Sequence, residues 1–145
     1  MGPPSREPIG LQLVRTARAV SRAFDDALAE AGGSLPVWLI LVSLKSGQHG
    51  TQRELAQNVG VEAPTLTHHL RRLESEGLVS RTRDPGNLRV QRVALTPEGE
   101  QAFFRMLAAV QDFDRGLRAG MPDRRVAVLE GLLEQLRNNV GGSHD

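Results

Sequence analysis

Between Thr51 and Leu73 the spacing of small and apolar residues leaves this chain few folds to choose from. Ala56 falls where two short helices must nearly touch, so a larger side chain would force them apart. Gly60 follows four residues later, where the turn between the helices favours a residue free to take positive φ. Leu55, Val59, Val61, Leu66, Leu70 and Leu73 supply apolar contacts between the helices and with whatever lies beneath them. Together these positions read as a helix-turn-helix from Gln52 to Leu73. Thr51-Gln52-Arg53-Glu54 has the spacing of a capping box, with Thr51 accepting from the first turn and Glu54 reaching back, so the leading helix starts there. The second helix starts on a poorer signal. Glu62 stands where Ser, Thr or Asp would cap better, although Pro64 suits a first turn that has no donor to lose.

On a helical wheel Leu66, Leu70 and Leu73 share one side, and Pro64, Thr65, Thr67, His68, Arg71, Arg72 and Ser75 spread over the other. A polar, basic face on a short exposed helix can enter a major groove, where hydroxyls bond base edges or phosphates and Arg grips guanine or a phosphate. On composition alone a solvated face is the commoner reading; the order of the parts that follow overturns it. His69 falls on the buried flank as a packing residue, and His68 points outward.

Gly77-Leu78-Val79-Ser80-Arg81 then opens a hairpin. Asp84-Pro85-Gly86-Asn87 carries Pro at the second and Gly at the third turn position, the pattern of a type II turn, so Val79 to Arg83 and Val90 to Leu95 are expected to pair as strands. Arg83 and Arg89 flank the tip, from which a guanidinium can reach an adjacent minor groove. A helix-turn-helix followed by such a hairpin is a winged DNA-reading unit. Its candidate DNA contacts are Gln52, Arg53, Pro64, Thr65, Thr67, His68, Arg71, Arg72, Arg83, Asn87 and Arg89.

Helices flank the unit. Leu13, Ala17, Val20, Phe24, Ala27, Leu28 and Ala31 recur at helical spacing before a stop at Gly32-Gly33, and a further helix runs from Ser34 to about Leu44. Thr96-Pro97-Glu98 is a strong start for a helix to about Arg118, combining a capping hydroxyl, Pro at the first helical position and an acid near the positive end of the dipole. Met121-Pro122-Asp123 opens a last helix in which Val126, Leu129, Leu133, Leu136 and Val140 repeat at steps of three and four, like a coiled-coil seam. One winged unit cannot cover the apolar faces of both the first and the last helix. The expectation is that they interlock between two chains, with Leu13, Ala17 and the five seam residues at the interface. The fold class is mainly α with a small antiparallel β wing. It forms a single domain over residues 9–140, with the winged helix-turn-helix at about 34–96 and dimerisation helices at about 9–31 and 97–140. Residues 1–8 and 141–145 carry Pro, Gly, Ser and charge, as disordered tails do.

Composition agrees. At 145 residues, 39% of them hydrophobic, one compact domain can build its core. No apolar run approaches the roughly 20 residues of a membrane helix, and Met1-Gly2-Pro3-Pro4 lacks a basic start before an apolar stretch, so neither a membrane partner nor a secretory signal is expected and the location is cytoplasmic. Cysteine is absent, which excludes disulfides and thiolate metal sites. The four histidines lack metal partners at ligand spacing, and adjacent His68 and His69 diverge by about 100° on a helix. There is no HExxH, P-loop or dinucleotide fingerprint, so neither catalysis nor a cofactor is expected. Net charge is only +1, but from Lys45 to Arg92 eight Lys or Arg face five Asp or Glu, a net +3 between acidic flanks.

At this point the chain resembles the MarR family of bacterial transcriptional regulators, from about Leu11 to Val140. The matching residues are Ser34-Leu35-Pro36-Val37-Trp38, Glu54-Leu55-Ala56, Val61 with Pro64-Thr65-Leu66-Thr67, Leu73-Glu74, Gly77-Leu78-Val79 with Arg81, and Arg89 with Leu95-Thr96 and Gly99. The family's wing signature is Asp-x-Arg, five residues, Leu-Thr, and here its first position is Asn87. The family's acid holds the wing arginine; the amide removes that ion pair, can still accept a hydrogen bond from Arg89, and leaves the tip looser. Glu62 at the recognition-helix cap and Val37 where Gln is common depart further. The resemblance implies a homodimer on a pseudo-palindromic operator in double-stranded DNA, usually a repressor. It also implies a small aromatic or anionic effector entering a cleft beside the dimer helices, where Arg18, Arg22, Phe24 and Trp38 fall by position. Core packing competes with that role for Trp38 and Phe24, and a solvated face does so for the arginines. Two alternatives stay open: a winged-helix protein-interaction module, and a DNA-binding regulator without a ligand response.

Overall fold

The structure, a computed structural model, describes residues 2, 5–47 and 51–141. Eight elements follow in order: α1 (Ile9–Glu30), α2 (Leu35–Ser46), α3 (Gln52–Val59), α4 (Ala63–Ser75), β1 (Val79–Asp84), β2 (Asn87–Leu95), α5 (Pro97–Leu117) and α6 (Asp123–Gly141). The fold is mainly helical with one two-stranded antiparallel sheet, as expected. Most of the residues expected as tails, 1, 3, 4 and 142–145, lie outside the described residues. Among the described residues no single helix is long and apolar enough to cross a membrane. The chain divides into two compact units, Met1–Val110 and Gln111–Asp145, with α5 beginning in the first and ending in the second.

The helices of the first unit start and stop where their ends can be satisfied. Thr51 caps α3, its hydroxyl accepting from the Glu54 N–H at 3.2 Å. Glu54 does not reach back to the backbone; its carboxylate accepts from the Thr51 hydroxyl at 2.8 Å. Gly60 ends α3 at φ +76°, the left-handed conformation expected of it. Glu62 precedes α4 without a side-chain cap, and Pro64 sits in the first turn. Ser34 accepts from the Val37 N–H at the start of α2, and Asp25 on α1 accepts from the Leu35 N–H at 3.1 Å.

Two cores meet on α2. One gathers Ile40, Leu55, Val59, Leu66, Leu70, Leu73, Val79 and Val93 beneath α3, α4 and the sheet. The other gathers Leu28, Trp38, Leu41, Ala102, Phe103 and Met106 between α1, α2 and the start of α5. Helix α2 is apolar all round because both of its sides are covered. A polar tie accompanies this packing: buried Ser43 donates to the Leu39 carbonyl at 2.7 Å and accepts from the Asn58 amide on α3. The sheet is locked to α5 at one corner. The Thr96 N–H donates to the Leu78 carbonyl at 3.1 Å, the Thr96 hydroxyl to the Gly77 carbonyl at 2.6 Å, and the Gly99 N–H to that hydroxyl at 3.0 Å. A Cβ on Gly99 would lie 2.0 Å from the Leu78 oxygen, so the approach needs a glycine.

The hairpin departs from the expected turn. Gly86 does not take the positive φ that a type II turn demands at its third position. The reason is Asp84, whose Oδ1 accepts the Gly86 N–H at 2.8 Å and turns the chain by itself. Pairing then passes from Arg83↔Gln91 to Asp84↔Asn87, so Leu88, Arg89 and Val90 bulge from β2 without partners on β1.

Apolar residues stay exposed in each unit. On α1 only Leu28 is fully buried, while Ile9, Leu11, Leu13, Val14 and Ala17 face outward. In the second unit the last helix follows a corner in which Arg118 pairs with Asp114 and Asp123. Of its expected seam, Val126 is buried, Leu133 and Leu136 are half-buried, and Leu129 and Val140 are exposed, as are Val128 and Leu132 off the seam.

Candidate nucleic-acid interface

A groove of about 830 Å³ runs between α3, α4 and the wing. Thr51, Gln52, Arg53, Ala56 and Gln57 line it from α3 and its cap, Ala63, Thr67 and Arg71 from α4, and Arg81, Arg89, Val90 and Gln91 from the sheet. Each helix turns one face toward it: Arg53 and Gln57 are one turn apart, as are Ala63, Thr67 and Arg71. Arg89, Val90 and Gln91 all reach it because the bulge interrupts the alternation of β2. The sheet edge is seated against α3 by an antiparallel bridge between Thr51 and Arg92.

Hydrogen bonding divides these side chains into braces and free groups. Thr67 accepts from the Gln52 amide at 2.8 Å and donates to the Ala63 carbonyl at 2.9 Å. Its only proton is spent, so it can offer a partner a lone pair but nothing to a phosphate oxygen, which needs donors. The Gln52–Thr67 bond instead fixes α4 against α3. Arg81, only 18% exposed, pairs with Glu74 at 3.1 Å and ties the wing to the end of α4. The hydrogen bond from Arg81 holds the Glu74 carboxyl below its ordinary range. Asp84 is likewise lowered, first by the Gly86 N–H and then by Arg92, whose guanidinium approaches it at 2.8 and 2.9 Å. Arg53, Arg71 and Arg89 pair with none of the described acids. They leave three uncompensated guanidiniums on one groove.

Of the residues singled out from the sequence, Gln52, Arg53, Thr67, Arg71 and Arg89 line the groove. Pro64, Thr65 and His68 are exposed on α4, and Arg72 is exposed there and paired with Glu76 at 3.1 Å. Arg83 is exposed near the tip. Asn87 accepts from Arg89 through the backbone N–H at 3.1 Å, leaving the Arg89 guanidinium unbound. His69 is half-buried, and burial, followed by His68 and Arg72, holds its pKa below the ordinary value. Gln57 and Gln91 also line the groove and were missed; Gln57 lies one turn past Arg53 on the same face of α3, a spacing that points to it, whereas the bulge before Gln91 hides its face.

The four residues placed at an effector cleft divide. Trp38 is buried and stacked on Phe103 with centroids 5.4 Å apart, Phe24 packs against the same core, and Arg18 and Arg22 are exposed on α1.

Residues 34–90, from the start of α2 into the wing bulge, match the model of the MarR family. YdgJ of Bacillus subtilis (strain 168), an uncharacterized HTH-type transcriptional regulator, is 29% identical over 101 residues, which is 70% of this chain and 62% of that protein. The chain thus spans less than two thirds of that relative's length. Among solved structures, the transcriptional regulator PA3341 is 32% identical, covering 93% of this chain and 99% of that one with a TM-score of 0.78. The C80S mutant of MarR from E. coli, complexed with operator DNA, is 27% identical over 89% of this chain and 93% of that one, with a TM-score of 0.79. CouR from Rhodococcus jostii RHA1, bound to p-coumaroyl-CoA, is 25% identical over 96% of both chains, with a TM-score of 0.77. Motif, fold and likeness over most of the chain agree, and the chain belongs to the MarR family.

Proposed function

We propose that the protein is a sequence-specific, DNA-binding transcriptional regulator that acts as a homodimer in the cytoplasm and represses by occupying a pseudo-palindromic operator. The observation that carries this reading is the groove in which Arg53, Arg71 and Arg89 stand without acidic partners beside a basic helix and a wing. Helix α4 reads the major groove, and the wing reaches the minor groove alongside it. The exposed apolar faces of α1 and α6 meet a second copy, which sets two half-sites roughly 34 Å apart. The relative crystallised with operator DNA supports the DNA partner, and the one crystallised with p-coumaroyl-CoA supports an effector. A small aromatic or anionic effector lowers operator affinity by preferring a spacing of the two α4 helices that misses successive grooves.

The test is selection of duplexes from a random pool, followed by fluorescence anisotropy across a salt series. A sequence-selective complex is expected, with affinity falling steeply as salt rises. Arg89→Ala should weaken it and reduce the salt slope by about one. An affinity indifferent to both salt and this substitution would overturn the reading.

A further inference from the structure

The wing carries one apolar side chain that the fold does not use. Leu88 is 66% exposed at the head of the β2 bulge, and it lines neither the groove nor either core. Its position is held. Asp84 grips the Gly86 N–H and the Arg92 guanidinium on one side of the tip, and Asn87 accepts the Arg89 N–H on the other. A single exposed leucine is ordinary by itself. The same hairpin carries two exposed guanidiniums, that of Arg89 next to it in sequence and that of Arg83 on β1, neither of which pairs with a described acid.

An exposed apolar side chain on a hairpin that also carries two free cations suits a surface on which anionic and apolar strips alternate. The wall of the DNA minor groove is such a surface, with phosphates on its rim and the C–H faces of deoxyribose between them and the floor. We infer that Leu88 is a minor-groove contact, packing its isobutyl group against deoxyribose and the groove floor while the neighbouring guanidiniums meet the strands on either side. This rests on the DNA-reading function proposed above and adds a specificity element to it. The minor-groove floor of a G·C pair carries the guanine N2 amino group, which A·T lacks. Leu88 at that depth disfavours G·C at the contacted step for a steric reason, independent of any hydrogen bond from the wing.

The experiment takes the duplex that the wild-type protein selects from a random pool and measures Leu88→Ala by anisotropy in a salt series, beside wild type and Arg89→Ala. Leu88→Ala should bind about tenfold more weakly, the size expected for truncating a largely covered leucine, with an unchanged salt slope because no counterion is involved. Wild type should discriminate against G·C at one flanking step and recover when inosine, which lacks the N2 amino group, replaces that guanine; Leu88→Ala should lose the discrimination. Because the side chain is exposed, its thermal unfolding should match wild type.

If wild type selects a sequence and Leu88→Ala binds it within twofold, the inference fails and the DNA-reading function stands. If wild type selects nothing, that function fails and the inference goes with it. If Leu88→Ala alters sedimentation of the free protein and leaves DNA binding intact, the leucine meets another chain and the minor-groove assignment is overturned.

Discussion

Gly99→Ala sets two effects of opposite sign against each other at the corner that fastens the wing to α5. Gly99 lies in the first turn of α5 with no positive φ to protect, so helix propensity alone would reward alanine by about 1 kcal/mol. The added methyl group, however, would lie 2.0 Å from the Leu78 carbonyl oxygen, 3.0 Å from its carbon and 3.2 Å from Leu95 Cδ2. The first distance falls short of ordinary contact by more than an ångström, and its far end is backbone, which cannot swing aside as a side chain can. Leu78 is held there because its carbonyl accepts the Thr96 N–H at 3.1 Å and its own N–H bonds the Leu73 carbonyl at 2.9 Å. Relief therefore means moving the start of α5 outward and stretching the Thr96 bonds. Overpacking of this kind costs about 1–3 kcal/mol, and loosening one or two of the Thr96 hydrogen bonds adds about 1 kcal/mol. Set against the propensity gain, the net expectation is a loss of about 2 kcal/mol, read as a lower urea midpoint at unchanged slope. Gly131→Ala is the control. It sits within α6 with nothing inside 4 Å of the new Cβ and should gain up to about 1 kcal/mol. A Gly99→Ala protein as stable as wild type, with Gly131→Ala behaving as expected, would refute the close approach.

Two further outcomes follow from the hydrogen-bond roles in the groove. Thr67→Val removes the bonds to Gln52 and Ala63 while keeping the shape, and should weaken DNA binding without changing the sequences selected; an altered preference would make Thr67 a base reader. His69 has a depressed pKa when folded, so the unfolded chain takes up its proton first: stability is full above about pH 6.5 and declines as pH falls from there toward the folded value. His69→Gln should flatten that stretch in urea midpoints between about pH 7.5 and 5, and a slope equal to wild type would remove His69 as its cause.

The helix-turn-helix was legible because its constraints are local. Thr51 needs only its own first turn to act as a cap, and Gly60 needs only its own φ to end α3. The paired part of the wing was legible through alternation, since Val79 and Val93 fall on the buried side by period alone. The turn was not, because Pro85-Gly86 is compatible with more than one geometry and the choice was made by Asp84, through bonds to Gly86 and to Arg92 eight residues away. The bulge that follows depends on that choice, so the unpaired state of Leu88 to Val90 could not be read in advance. Gln57 and Gln91 were passed over because in a sequence a lone glutamine looks the same whether it solubilises a surface or lines a groove. The place of Trp38 was ambiguous because α2 has no polar side: a residue on a helix buried all round shows no period that would say which core it joins.

Net charge was the weakest guide, and pairing explains why. Of the eight cations from Lys45 to Arg92, four are held within the chain: Lys45 by Glu100, Arg72 by Glu76, Arg81 by Glu74 and Arg92 by Asp84. These do scaffold work, and two of them, Arg81 and Arg92, brace the wing. The other four, Arg53, Arg71, Arg83 and Arg89, pair with no described acid, and three of those line one groove. A count that cancels every Arg against every Glu treats both sets alike and arrives at +1. The field felt by a polyanion comes from the second set, since a charge paired within a few ångströms of an acid presents a dipole that fades faster with distance than a bare charge. The acids of this chain therefore serve the groove indirectly, by neutralising the arginines that build it and leaving free those that face outward from it.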